Sequence, residues 1–269
     1  MITLIGHGYI GKYIQKELKL QNIHHEWITH RQAVPANTTA IINAAGYTGF
    51  PNVDACEKYK QETIDGNVLF PLQLEQTNLA TPIVHITSGC VYTGYKDNGW
   101  TEEDAPNFDF SNGSFYSGSK ALFQKLMTPY LDKSYLLRIR MPFSYMPEQK
   151  NILTKLSSYQ KLIDYENSFS DVTDVARVAV HFALNKPTGG IYNVCNPGSV
   201  TTKQVANKLK LDKEWFTENE FKEATIAPRS NCVINVEKLS AIFPIKHIDD
   251  ALDAAIGKYV MSSHTKENT

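Results

Sequence analysis

The chain has 269 residues, with 27 Lys and Arg against 28 Asp and Glu for a net charge of −1, so it can bury a sizeable core as one unit or as a domain with a smaller lobe. Its basic residues are scattered rather than gathered along one face, no apolar run approaches the ~20 residues of a membrane span, and no signal-peptide pattern opens the chain. Nucleic acid and membrane are excluded as expected partners, the cytoplasm is the expected compartment, and the singly placed Cys56, Cys90, Cys195 and Cys232 argue against a disulfide framework or a metal site.

Met1 to Ile5 is a short apolar run that ends in Gly6-His7-Gly8-Tyr9-Ile10-Gly11, after which Ile10, Ile14 and Leu18 recur at helical spacing. A strand, a glycine turn and a helix in that order form a dinucleotide-binding fingerprint, because glycines let the backbone approach a pyrophosphate that rests on the free N–H groups of the helix start. Gly6, Gly8, Tyr9, Ile10 and Gly11 are the candidate contacts.

Glu26 to Thr29 reads as the second strand, followed by His30 and Arg31, where an acidic residue would bind the ribose 2′-hydroxyl of NAD and an arginine suits the 2′-phosphate of NADP. NADPH is therefore the expected cofactor, ahead of NADH. A third strand, Ala40 to Ile42, runs into Asn43-Ala44-Ala45-Gly46, whose small side chains leave room for the cofactor's adenosine half.

Pro82 to Thr87 reads as another strand and leads into Ser88-Gly89-Cys90. Residues two apart in a strand point to one side of the sheet, so Ser88 and Cys90 are expected to share a face. Tyr116 and Lys120, four apart in a helix expected over Tyr116 to Met127, are neighbours on one helical face. An ordinary phenol titrates near ~10, and a nearby ammonium is expected to lower that value. With Ser88 holding a carbonyl oxygen, Tyr116 and Lys120 make a set suited to reducing a ketone with a hydride cofactor, although a Tyr-x-x-x-Lys pair also arises by chance on helices.

Strands at Tyr135 to Arg140 and Gly190 to Val194, with a helix over Asp171 to Leu184 between them, complete an alternation that predicts a Rossmann-type α/β fold, a doubly wound parallel sheet. After Pro197 the texture turns to polar helical pieces and loops, and ends in a polar run, Ser262 to Thr269. Residues 1–145 are expected to be the NADP(H)-binding domain, with a strand and helix from about 171–196 returning to it, and 146–269 mainly a smaller C-terminal substrate-binding lobe.

Gly6/Gly8/Gly11, Ser88, Tyr116 and Lys120 together resemble the extended short-chain dehydrogenase/reductase superfamily. Asn43 to Asp54, Gly113-Ser114-Phe115-Tyr116-Ser117, Leu137 to Pro142 and Ala227-Pro228-Arg229-Ser230-Asn231 narrow this to a resemblance to the nucleotide-rhamnose synthase/epimerase-reductase family, which is related to dTDP-4-dehydrorhamnose reductase. One departure is the glycine motif, where the family usually carries G-x-x-G-x-x-G. The resemblance implies conversion of a UDP-4-keto-6-deoxyhexose to the L-sugar, UDP-L-rhamnose or its 2-acetamido analogue, by 3,5-epimerisation and NADPH reduction at C4. It implies Cys90 as a base at C3 and C5, Lys155 as the proton carrier on the opposite ring face, and Met141 as a cofactor contact. Thr48, Gly49, Ser88, Asn151 and Arg229 become substrate contacts, with Arg229 suited to the diphosphate. A separate upstream 4,6-dehydratase and a homodimer are further expectations. Two rival readings are a plain 4-reductase, in which Cys90 only packs, and a non-catalytic NADP-binding regulatory subunit.

Overall fold

The computed structural model describes residues 1–266. Strands β1 (Ile2–Ile5), β2 (His25–Ile28), β3 (Ala40–Asn43), β4 (Ile83–Ser88), β5 (Tyr135–Ile139) and β6 (Gly190–Asn193) form one sheet in the order β2-β1-β3-β4-β5-β6, with every neighbouring pair parallel. The expected strands and helices are present, with ends shifted by about a residue. The helices that build the site are α1 (Tyr9–Leu20), α2 (Phe70–Thr77), α3 (Phe115–Leu126), α4 (Ile152–Ser158) and α5 (Val172–Asn185).

The period of two in each strand sorts its side chains into two layers. Leu4, Ile42, Val84 and Leu137 pack into a core shared with Ile14 and Leu18 of α1 and Val175 to Ala183 of α5. Their neighbours Ile5, Ile41 and Ile83 meet Leu74 of α2, and Leu136 meets Phe123 of α3. Helices thus cover both faces, which is why these strands read as continuous apolar runs.

From β1 the chain steps outward to β2 and then crosses back to β3 on the other side of β1. This reversal opens a crevice at the carboxyl ends of β1 and β3, where ligands bind in sheets of this kind. The loops after β1, β3 and β4 gather beside it.

Beyond β5 the chain passes through Arg140 and Met141, a non-glycine residue at φ +40, and builds a second core from Phe143, Leu153 and Leu156 of α4, Phe169, Val205 and one face of the helix Ile248–Lys266. The stretch after Pro197 divides, since Leu239, Phe243 and Ile245 pack back onto the first core. The final polar run is helical as far as Lys266, and residues 267–269 lie outside the described residues. Among the described residues, no helix is long and apolar enough to cross a membrane, and no group of three His, Cys, Asp or Glu is placed to hold a metal ion.

One local expectation is corrected. β4 ends at Ser88, and Gly89–Val91 form a 3-10 turn in which the Cys90 N–H donates to Ser88 Oγ (3.1 Å). Ser88 caps this turn, so strand alternation does not align the two side chains.

Candidate active site

The glycine loop fits a pyrophosphate for three separate reasons. Gly6 has φ +105, and a Cβ there would lie 2.6 Å from the Ala45 nitrogen. A Cβ on Gly11 would lie 2.0 Å from the Gly6 carbonyl oxygen, so both glycines are required by close backbone packing. Gly8 has nothing within 4 Å of its Cβ position and begins α1 without a side-chain cap, which leaves an uncapped helix start facing open space.

The other expected cofactor contacts fall into two groups. The Tyr9 side chain points inward, its hydroxyl donating to Ser144 Oγ (2.8 Å), and Ile10 packs against the first core, so only their backbones face the loop. Asn43 is likewise occupied, accepting from the Ala45 N–H (3.0 Å) and meeting His85 Nδ1 (3.1 Å), which shapes the Ala44-Ala45-Gly46 turn from below. Past β2, Arg31 is exposed, and His30 packs edge-on to Phe70 and borders a cavity of about 330 Å³ with Val34, Phe70 and Leu74. Met141 is partly buried against the second core.

Ser88, Cys90, Tyr116 and Lys120 converge beside this crevice. Ser114 caps α3 by accepting from the Ser117 N–H (3.1 Å), and a Phe110 ring covers Gly118, where any Cβ would clash at 2.2 Å. α3 is thereby fixed with Tyr116 and Lys120 facing the loops. The Lys120 ammonium lies 5.7 Å from the Tyr116 ring centroid and 3.5 Å from the Cβ position of Gly46.

Here the structure reverses an expectation. Burial pushes the Tyr116 phenol above its ordinary value, the negative form of Cys90 adds to that rise, and the Ser88 hydroxyl offsets part of it. Lys120, only 6 % exposed, is itself drawn down to about 8 by burial, against the pull of Cys56 and Cys90. Desolvation dominates, so Tyr116 is a phenol that keeps its proton at neutral pH.

The second core supplies a further candidate. Lys155, on α4, is lowered to about 8 by burial first, then by the positive charges of Lys150 and Arg229, while Cys90 pulls the other way. Asn151, expected as a substrate contact, caps α4. It is fully buried, accepts from the Leu153 N–H (3.0 Å) and donates to the carbonyls of Ser144 (2.8 Å) and Met146 (2.9 Å). It holds the start of the helix that carries Lys155.

Arg229 also stands differently from expectation. Its two terminal nitrogens donate to the two oxygens of Asp54 (both 2.7 Å), and Asp54 further accepts from the Ala227 N–H (2.9 Å). The guanidinium fork ties the loop after β3 to the segment that leads to Cys232 and Ile234. Thr48 is exposed on that loop, whereas Gly49 is buried at φ +67 with its carbonyl accepting from Lys150.

Three contributors were not singled out from sequence. Asp54 and Arg140 stand inside longer motifs with no spacing that marks them singly, and Arg140 Nη1 donates to Cys90 Sγ at 3.2 Å. Asn67, in a π-helical turn over Asp65–Leu69, binds both the N–H (2.9 Å) and carbonyl (2.8 Å) of Tyr47 and reaches Ser119 Oγ (3.1 Å), so it fastens the loop after β3 to α3. A lone buried Asn carries no sequence signal of that kind.

Comparison with known proteins places the chain in a family. A family profile described as the RmlD substrate binding domain matches residues 19–259. The chain is 33 % identical to a bifunctional dTDP-4-dehydrorhamnose 3,5-epimerase/dTDP-4-dehydrorhamnose reductase of Arabidopsis thaliana, with 88 % of this chain and 85 % of that protein covered. It is 32 % identical to a trifunctional UDP-glucose 4,6-dehydratase/UDP-4-keto-6-deoxy-D-glucose 3,5-epimerase/UDP-4-keto-L-rhamnose-reductase of the same plant, with 88 % of this chain covered but only 38 % of the relative. Among solved structures, the L780 UDP-rhamnose synthase of Acanthamoeba polyphaga mimivirus superposes with a TM-score of 0.89 at 25 % identity, covering 96 % of this chain and 99 % of that one.

Proposed function

The chain belongs to the RmlD substrate binding domain family and is an enzyme, and from that premise we propose that it is a 3,5-epimerase/4-reductase converting a UDP-4-keto-6-deoxyhexose to a UDP-6-deoxy-L-hexose with NADPH. The observation that carries this reading is that Cys90 hydrogen-bonds Ser88 and lies within electrostatic reach of both Tyr116 and Lys155.

A ketone at C4 acidifies the protons on C3 and C5. Cys90 removes such a proton, and the electron pair moves to the ketone oxygen, where the Ser88 hydroxyl and the protonated Tyr116 phenol donate to it. Lys155 returns a proton from the opposite ring face, which inverts the carbon. The same oxygen later receives a proton from Tyr116 when C4 is reduced. A phenol raised by burial suits both tasks, because it remains a donor at neutral pH.

The residues fit a dinucleotide: Gly6, Gly8 and Gly11 with the start of α1 would hold its pyrophosphate, Arg31 its 2′-phosphate, and Lys120 the nicotinamide ribose. When bound, the reduced nicotinamide supplies hydride. The trifunctional relative carries a dehydratase in its name, and this chain spans 38 % of its length, so a separate 4,6-dehydratase is proposed to make the ketone. Incubation with UDP-4-keto-6-deoxyglucose and NADPH should yield UDP-L-rhamnose by NMR and mass spectrometry. Oxidation of NADPH with a D-configured product, or no turnover of any UDP-4-keto-6-deoxy sugar, would contradict the proposal.

A further inference from the structure

We infer that His85 is a positioning residue for the dinucleotide: as a neutral imidazole with its proton on Nε2, it fixes the Asn43 side chain in the orientation that shapes the Ala44-Ala45-Gly46 turn at the crevice. The inference rests on the dinucleotide reading of the glycine loop and not on epimerisation.

Asn43 ends β3, and His85 lies directly opposite it on β4, so both side chains leave the same face of the sheet. That face is otherwise apolar, with Ile41, Ile83 and Leu136 packed under α2 and α3 and the Phe123 ring edge-on to His85 at 5.3 Å. A chain of polar groups runs through this layer. Asn43 Nδ2 meets His85 Nδ1 (3.1 Å), His85 Nε2 meets Glu75 Oε1 of α2 (3.0 Å), and Glu75 Oε2 pairs with Lys133 (2.9 Å). Asn43, His85 and Glu75 are each no more than 2 % exposed. Apolar side chains of similar size often match a buried charged network in stability, so stability alone does not account for this chain.

Its direction is fixed from one end. The Ala45 N–H can only donate, and it donates to Asn43 Oδ1 (3.0 Å), which leaves the Asn43 amide nitrogen facing His85. An amide nitrogen donates, so His85 Nδ1 accepts and carries no proton. The ring proton is then on Nε2, where the Glu75 carboxylate accepts it. Lys133 supplies that carboxylate with a cation, so no imidazolium is required beside it. Burial lowers His85 below its ordinary value against the pull of Glu75, with Lys120 and Lys133 adding to the fall, which agrees with the assignment drawn from geometry.

The turn that this chain sets touches two parts of the site. The Ala45 nitrogen lies 2.6 Å from the Cβ position of Gly6, and the Cβ position of Gly46 lies 3.5 Å from Lys120 Nζ. Gly6 and Lys120 are the groups proposed to hold the pyrophosphate and the nicotinamide ribose. A rotated Asn43 amide would release the Ala45 N–H, and the turn would no longer be held against either of them.

The test uses the full-length protein and NADPH alone. Dissociation constants are measured by NADPH fluorescence at neutral pH for the wild type, His85→Phe, Asn43→Ala and the double variant, each checked for native fold by circular dichroism. His85→Phe should weaken NADPH binding about tenfold, the scale of one buried hydrogen bond left unmade. Because His85 acts through Asn43, the double variant should bind no more weakly than Asn43→Ala. Unchanged affinity in His85→Phe, or losses that add in the double variant, would overturn the inference. If His85→Phe does not fold, nitrogen NMR of the His85 ring in the wild type decides it. A proton on Nε2 beside a bare Nδ1 supports the assignment, and a proton on Nδ1 refutes it. Wild-type protein that bound NADPH yet failed to epimerise sugar would defeat the proposed function and leave this inference in place, because neither measurement involves a sugar.

Discussion

Ser88, Tyr116 and Lys120 stand on β4 and on α3, which packs directly against the sheet, whereas Lys155 comes from the second core and Arg229 from the segment that leads to Cys232 and Ile234. The first group is held by backbone geometry, through a cap at Ser114, close ring packing on Gly118 and the Asn67 brace. The second is held by side-chain ties across the crevice, the Asp54–Arg229 fork and the buried Asn151 cap. Cys90 hydrogen-bonds Ser88 of the first group and lies within electrostatic reach of Lys155 of the second. On the proposed function, reduction would draw on the first group and epimerisation on both, and the two activities should be separable by mutation.

The sharpest break concerns the shared phenol. Tyr116→Phe should lower NADPH oxidation with keto sugar by about 10²–10⁴-fold in steady-state assays, the range for losing a positioned proton donor. Near-normal turnover would remove Tyr116 from the chemistry. Lys155→Met should cut solvent exchange at the sugar carbons by about 10²-fold yet leave reduction of an already epimerised UDP-4-keto-L-sugar within a few-fold. Equal losses in both assays would mean that the two groups work as one.

A pH profile sharpens the comparison without mutation. Lys155 is lowered to about 8, so as the proposed proton donor it would be loaded below that pH and empty above it. Exchange without NADPH should fall as pH rises through about 8, toward tenfold per unit, and a rate that climbs over that range would assign Lys155 the opposite role. The smallest effect belongs to the cross-crevice tie. Its partners are 24 % and 22 % exposed, so Asp54→Ala should cost about 1 kcal/mol in thermal unfolding. It should also weaken sugar binding more than it slows catalysis, measured as KM against kcat.

Much of the sheet was legible because buried parallel strands are short apolar runs and the glycine turn has a fixed place after the first of them. The site was legible where local spacing decides geometry, as for Tyr116 and Lys120 on one helical face. It was opaque where partners are distant in sequence. Asn151 and Arg229 carry the polar groups of ligand contacts, but their hydrogen bonds go to Ser144, Met146 and Asp54. Nothing in a string of letters shows that Arg140 meets Cys90 fifty positions away. The direction of the Tyr116 shift was also hidden, since it depends on how deeply the completed fold buries the phenol.

The central claim is that one site both epimerises and reduces. NMR of UDP-4-keto-6-deoxyglucose with the protein in deuterated buffer, before any NADPH is added, tests it most directly. The account predicts deuterium at C3 and C5, followed on addition of NADPH by UDP-L-rhamnose. Reduction on adding NADPH with no prior exchange at either carbon would contradict it and leave Cys90 and Lys155 without a part in the reaction.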